Sequence, residues 1–144
     1  MNYALDTNIL VHYLKNEANV QHNLDNAIIS GSKLIIPKAV DYELRRGFCI
    51  YPAPKKEAFY NILIEQCTIA NLDMDTWEMA IQVYADLHHK RFTVGEIDIL
   101  IAAFCLVNDC ILITNNIDDF KHINGLRMLD WTQLSILQSN DGGT

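Results

Sequence analysis

Five short aliphatic runs recur along this chain: "YAL" from Tyr3, "KLIIP" from Lys33, "TIANL" from Thr68, "CILIT" from Cys110 and "GLRMLDW" from Gly125. Each is long enough for one buried strand, and the residues between most of them carry apolar side chains at helical spacing. Strands separated by helices pair in parallel through right-handed crossovers, because a parallel neighbour needs a connection of a dozen or more residues. The expected architecture is therefore α/β, a single domain on a central parallel sheet covered by helices on both faces.

Local signals divide the segments between the strands. A first helix is expected from about Thr7 to Lys15, where Asp6, Thr7 or Asn8 can cap its free N–H groups. A second, Val20 to Ser30, stops at Gly31. "KAVDYELRRGF" reads as a third; after the stiff turn "YPAPKKE", with Pro52 and Pro54, a fourth runs through Cys67. Asp75 and Glu78 stand at capping-box spacing in "DTWEMAIQVYADLHHKR". Its Trp77, Ala80, Ile81, Tyr84 and Leu87 recur at helical intervals and read as core. Gly95 separates it from the apolar helix "EIDILIAAFCLVND", in which Phe104 is a further core candidate. The domain is expected over residues 1–137, with "QSNDGGT", residues 138–144, as a flexible tail.

At 144 residues, half of them hydrophobic, the chain can bury a core without staples. Cys49, Cys67, Cys105 and Cys110 form no CxxC pair and lie mostly in apolar segments, which predicts buried, reduced thiols rather than a zinc site or disulfides. No apolar run approaches the ~20 residues of a membrane span, and "MNYALDTN" lacks the basic start of a signal peptide. The expected location is the cytoplasm, away from membranes. Eighteen acidic against eleven basic residues give a net charge of −7, the wrong sign for bulk attraction to nucleic acid. A nucleic-acid partner must be held by bound cations and local basic groups such as Arg45 and Arg46, Lys55 and Lys56, or "HHKR" from His88. His12, His22 and His122 show no mutual spacing for a metal or a catalytic dyad.

In a parallel α/β sheet, ligands bind beyond the C-terminal ends of the strands. Residues that follow a strand, or open the next helix, therefore share one edge. Asp6 follows the first strand, Glu43 lies in the helix after "KLIIP", Asp98 opens "EIDILIAAF", and "TNNIDDF" follows "CILI". Four segments deliver carboxylates or amides to one place, where a hard cation would relieve their repulsion.

"LDTNIL", "YELRRG", "VGEIDILIAA" and "ILITNNIDDF" followed by "GLRMLDW" together resemble the PIN-domain ribonucleases, in particular the VapC-type toxins of bacterial toxin–antitoxin pairs. The resemblance runs from Tyr3 to Trp131 with the motifs in the family's order. It implies a PIN fold and metal-dependent endoribonuclease activity with Mg²⁺ or Mn²⁺, acting on the phosphodiester bonds of RNA, tRNA among the candidates. It also implies a homodimer and a VapB-like antitoxin partner. Carried over residue by residue, Asp6 matches the first family acid, Glu43 the second and Asp98 the third; these are the implied metal ligands and, with Asn116, the catalytic set. Asn8 and Thr114 match supporting positions. At the fourth position the family often has Asp where this chain has Asn116, with Asp118 and Asp119 nearby either as further acids or as helix caps. Glu96 stands two residues before Asp98, a spacing that puts the two on different helix faces, and reads either as a ligand of a second cation or of water or as support for the helix start. Arg45 and Arg46 are candidate phosphate-steering groups.

Two other readings remain. One is a catalytically weak PIN domain that serves as an RNA- or protein-binding module, which Asn116 and the acidic charge favour. The other is a phosphoryl-transfer domain with Asp6 as nucleophile, which lacks an acid two residues on and a Lys after a late strand. An antitoxin groove is expected along Ile9, Leu10, Tyr13 and Leu14 with Tyr51, Phe59, Tyr60 and Ile62.

Overall fold

In the computed structural model, which describes residues 1–133 and 138–140, the expected strands form one sheet. In chain order the elements are β1 (Asn2–Leu5), α1 (Thr7–Leu14), α2 (Ala18–Ile29), β2 (Lys33–Pro37), α3 (Lys38–Ile50), α4 (Pro54–Leu63), β3 (Thr68–Ala70), α5 (Met74–His89), α6 (Glu96–Asn108), β4 (Ile111–Ile113), α7 (Ile117–Phe120), β5 (Arg127–Leu129) and β6 (Gln138–Ser139). Spatial order is β3-β2-β1-β4-β5-β6, with β1 to β5 parallel and β6 antiparallel on the edge beside β5. From β1 the chain builds outward through β2 and β3, then returns to place β4 on the other flank of β1. The β1–β4 pair is thus the switch point, where crossovers leave in opposite directions and open a crevice at the C-terminal strand ends.

The sheet is buried on both faces: Ala4, Leu5, Ile36, Leu112, Ile113 and Met128 have no exposed surface. α6 is apolar nearly all round and buries Ile99, Ile101, Ala102, Ala103, Phe104 and Cys105, which suits a helix enclosed between sheet and neighbours. α5 packs against it through Ala80, Val83 and Leu87.

Several local expectations shift. α5 is capped by Asp73, not Asp75: its carboxylate accepts from the Thr76 N–H and hydroxyl, each at 3.0 Å. α4 stops at Leu63 and tightens into a 3₁₀ turn, Ile64–Gln66, before Cys67. Trp77, Ile81 and Tyr84 are not core but 48%, 63% and 51% exposed, because α5 turns its Thr76–Ala80–Val83–Leu87 stripe inward instead. Of the expected groove, Ile9, Leu10, Leu14 and Tyr60 belong to the core, and Tyr13 stacks on Phe59 with centroids 5.2 Å apart; only Tyr51 and Ile62 are well exposed. Of the expected tail, Gln138 and Ser139 pair with β5 and the Asn140 side chain donates to the Phe120 and Ile123 carbonyls; residues 141–144 lie outside the described residues. Of the cysteines, Cys105 and Cys110 are buried, Cys67 is half-buried and Cys49 is exposed; all are free thiols.

Candidate active site

Asp6 ends β1 and begins α1, and its backbone N–H donates to the Ile113 carbonyl of β4. This places its carboxylate in the crevice between the two central strands. The side chain is 2% exposed, with Oδ1 accepting from the Thr7 N–H at 2.7 Å and Oδ2 from the Thr114 hydroxyl at 2.7 Å. Thr114, wholly buried at the end of β4, also accepts the Asn116 N–H at 3.0 Å. Of the two roles the sequence offered Asp6, the helix cap is made, and the same carboxylate lies within the field of other acids.

Burial pushes Asp6 up to about 6, the charges of Glu43 and Asp119 adding to the effect and the bonds from Thr114 and Thr7 opposing it. Asp98, in the first turn of α6, is likewise pushed up to about 6, by burial first and then by the charges of Asp6, Glu43 and Asp119. A helix N-terminus favours a carboxylate, so burial first, and then the crowding of negative charge, outweigh the dipole here. Four acids from β1, α3, α6 and α7 therefore share one field. The nearest cation to any of them is Arg46, whose guanidinium is 3.9 Å from Glu43 and lies over the Tyr42 ring.

The remaining expected residues divide. Asn116 enters the site through its backbone, its N–H bound to Thr114 and its carbonyl accepting from the Asp119 N–H; its side chain is exposed. Asp119, three residues on and also among the expected supporting residues, supplies the charge felt by Asp6 and Asp98. Asp118 faces Lys121 instead. Glu96 is exposed and lines a hollow with Trp77, Ile81 and Tyr84. Arg45 is turned to Asp41, 3.6 Å away.

Asp41 itself escaped the sequence reading. It is 1% exposed and takes hydrogen bonds from the Tyr60 hydroxyl at 2.7 Å and Lys38 Nζ at 2.8 Å. Burial alone would raise its pKa, but the Lys38 and Tyr60 bonds and the charges of Lys38 and Arg45 hold it below the usual carboxylate range. The Tyr60 phenol is pushed far up by burial and by that carboxylate. The pair ties α3 to α4 and so fixes the helix that carries Glu43. Its only sequence signal was the Lys38 and Arg45 spacing; Tyr60 is nineteen residues away.

The donor set suits a hard cation that keeps part of its water shell. Among the described residues no three acidic, His or Cys side chains converge closely enough to hold a bare ion. Yet Thr7 Oγ1, Asn8 Oδ1 and Asn115 Oδ1, each next to Asp6 or Thr114 or two residues off in the chain, are buried with no hydrogen-bond partner. Oxygen-only ligation with waters between ion and protein is the preference of Mg²⁺.

The family model described as PIN domain matches residues 3–126. The chain belongs to the PIN-domain family. Among relatives of this PIN domain, Ribonuclease VapC2 of Rickettsia felis is 27% identical over 134 residues, covering 91% of this chain and 98% of that one. The tRNA(fMet)-specific endonuclease VapC of Salmonella typhimurium is 29% identical over 137 residues, covering 91% and 98%. The crystal structure of VapBC2 from Rickettsia felis, bound to a DNA fragment from their promoter, superposes with a TM-score of 0.83 at 25% identity, covering 89% of this chain and 97% of that one.

Proposed function

We propose that this PIN domain is a metal-dependent endoribonuclease and the toxin of a toxin–antitoxin pair. The observation that carries the reading is the four-acid field at the switch point, with Asp6 and Asp98 both pushed up to about 6. Such paired, perturbed acids in a cleft are a signature of functional sites. The names of full-length relatives, ribonucleases and tRNA endonucleases of the VapC type, supply the substrate class: RNA, with tRNA the first candidate.

A Mg²⁺ or Mn²⁺ bound by this site supplies neutralising charge for the scissile phosphate and lowers the pKa of a bound water. Asp6 and Asp98 are the principal ligands in this reading, with Glu43 as ligand or water-orienting base. Thr114 holds Oδ2 of Asp6 and thereby fixes the direction of its free lone pairs. Asp119, not the Asn116 side chain, is the fourth acid. Arg46 steers phosphate from the rim beside Glu43, whereas Arg45 is held by Asp41.

The exposed Trp77 of α5 borders a hollow of about 450 Å³ with Tyr42, Leu72 and Leu100, and with Ile81 and Tyr84 a second of about 290 Å³; this apolar face is the contact expected of a homodimer. Solved relatives described as VapBC complexes support a VapB-like antitoxin as second partner. Among the described residues no helix is long and apolar enough to cross a membrane, and the assigned location is the cytoplasm. The test is cleavage of total RNA with Mg²⁺ and with EDTA, by the wild type and by D6N and D98N. Metal-dependent cleavage lost in both variants is the expected result; none by the wild type would favour the binding-module reading that the exposed Asn116 keeps open.

A further inference from the structure

α5 ends in a Schellman motif: the Phe92 N–H reaches back to the Leu87 carbonyl at 2.9 Å and the Arg91 N–H to the His88 carbonyl at 3.0 Å. The residue between, Arg91, sits at φ 66°, the left-handed position that glycine normally fills. Among the described residues the other two non-glycine residues with positive φ are Asn16 and Asp109, types that tolerate it; an arginine there is strained. Strain held at one position, with a charged side chain as the only evident return, points to a use for that side chain.

Its surroundings say which use. Phe92, 40% exposed, is stacked on His122 with ring centroids 3.5 Å apart and an interplanar angle of 9°. Lys90, next in the chain, is spent internally, bonding Asp86, the His122 carbonyl and Asn124 Oδ1. It locks the end of α5 to the segment after α7. Arg91 is exposed and has no acidic partner among the described residues. The stack joins two segments that enter the acid cluster: the loop leading from Arg91 into α6 and Asp98, and the residues that follow Asp119. A guanidinium without an acidic partner among the described residues, an exposed stacked aromatic and an imidazole thus sit on the two segments that lead into and out of a strongly negative cleft, in a protein whose overall charge of −7 repels a polyanion.

We infer that Arg91, Phe92 and His122 form a platform that takes single-stranded RNA at the entrance to the acid cluster, Arg91 on a backbone phosphate and the Phe92–His122 stack under a base. The inference rests on the nuclease reading and names how its substrate is held. Stacking tolerates any base, and single strands expose base faces that a duplex hides. Of the run His88 to Arg91, only Arg91 contacts phosphate; Lys90 is structural.

The test separates binding from cleavage. Anisotropy of a fluorescein-labelled single-stranded oligouridylate is titrated in EDTA, where cutting is not needed, and RNA cleavage is followed separately with Mg²⁺. R91G should melt at a higher temperature than wild type, since glycine relieves the left-handed position, yet bind several-fold more weakly, with the slope of log affinity against log salt shallower by about 0.7. R91K should keep the slope. F92A should weaken binding roughly fivefold to a hundredfold at unchanged slope. R91G and F92A proteins that stay folded and bind the oligouridylate as tightly as wild type would overturn the platform, as would wild-type protein that binds duplex RNA in preference. Wild type that binds in EDTA, weakened in both variants, but never cleaves with Mg²⁺ would leave the platform standing and remove the nuclease reading instead.

Discussion

Replacing Asp6 by Asn should stabilise the metal-free protein, and by an amount the structure sets. The carboxylate is 2% exposed and its pKa stands at about 6 against an ordinary 3.8, so holding it ionised in the fold costs about 3 kcal/mol above pH 6. Asparagine resembles the protonated acid: its Oδ1 still accepts from the Thr7 N–H, and its amide can donate to the Thr114 hydroxyl. Because the folded pKa is raised, the stability tied to the neutral acid is complete below pH 3.8 and is lost as pH climbs through about 6. The variant should thus match wild type near pH 4 and exceed it by about 3 kcal/mol near pH 7.5, roughly 10 °C in melting temperature for a chain of this size. The assay is urea and thermal unfolding in EDTA at both pH values. Adding Mn²⁺ should reverse the order near pH 7.5, since only wild type retains the carboxylate that the ion stabilises. A variant no more stable than wild type near pH 7.5 in EDTA, or a gain equally large at pH ~4, would refute the argument that burial and neighbouring acids strain this carboxylate.

Other outcomes follow from the same geometry. Mn²⁺ affinity measured by calorimetry should fall steeply below pH 6, because Asp6 and Asp98 both take up protons near there and each must lose one to ligate. Asp119→Asn should weaken Mn²⁺ binding and slow cleavage, whereas Asn116→Ala should leave both near wild type; the reverse pattern would return the fourth position to Asn116. Tyr60→Phe should cost about 1.5–3 kcal/mol in urea unfolding, the range for a buried hydrogen bond to a charged group, since Asp41 then loses its Oδ1 partner. Ile81→Glu, at a position 63% exposed, should leave the fold intact but convert a dimer to monomer in light scattering; an unchanged dimer would move the contact off α5.

What the sequence made legible depended on how local the cause was. The gathering of Asp6 and Asp98 at one sheet edge was legible because each sits at a fixed place relative to a strand or helix end, and the sheet-edge rule needs nothing more. Which residue of "TNNIDDF" meets the other acids was not legible: the Thr114 hydroxyl captures the Asn116 N–H and makes Asn116 the start of a single helical turn, so its side chain is exposed while the charge of Asp119 reaches Asp6 and Asp98. Asp41 was missed because the group that makes its burial tolerable belongs to another helix. The error on α5 is the most instructive. That helix carries two stripes at the same period, Thr76–Ala80–Val83–Leu87 and Trp77–Ile81–Tyr84, and periodicity alone cannot say which of them faces α6. The smaller side chains won. Close packing against an enclosed helix such as α6 favours them, and the aromatic stripe, which would be expected to dominate burial by area, is left outside. An isolated chain gains nothing from leaving Trp77 and Tyr84 in water, so their exposure argues that the surface they form is completed by another molecule.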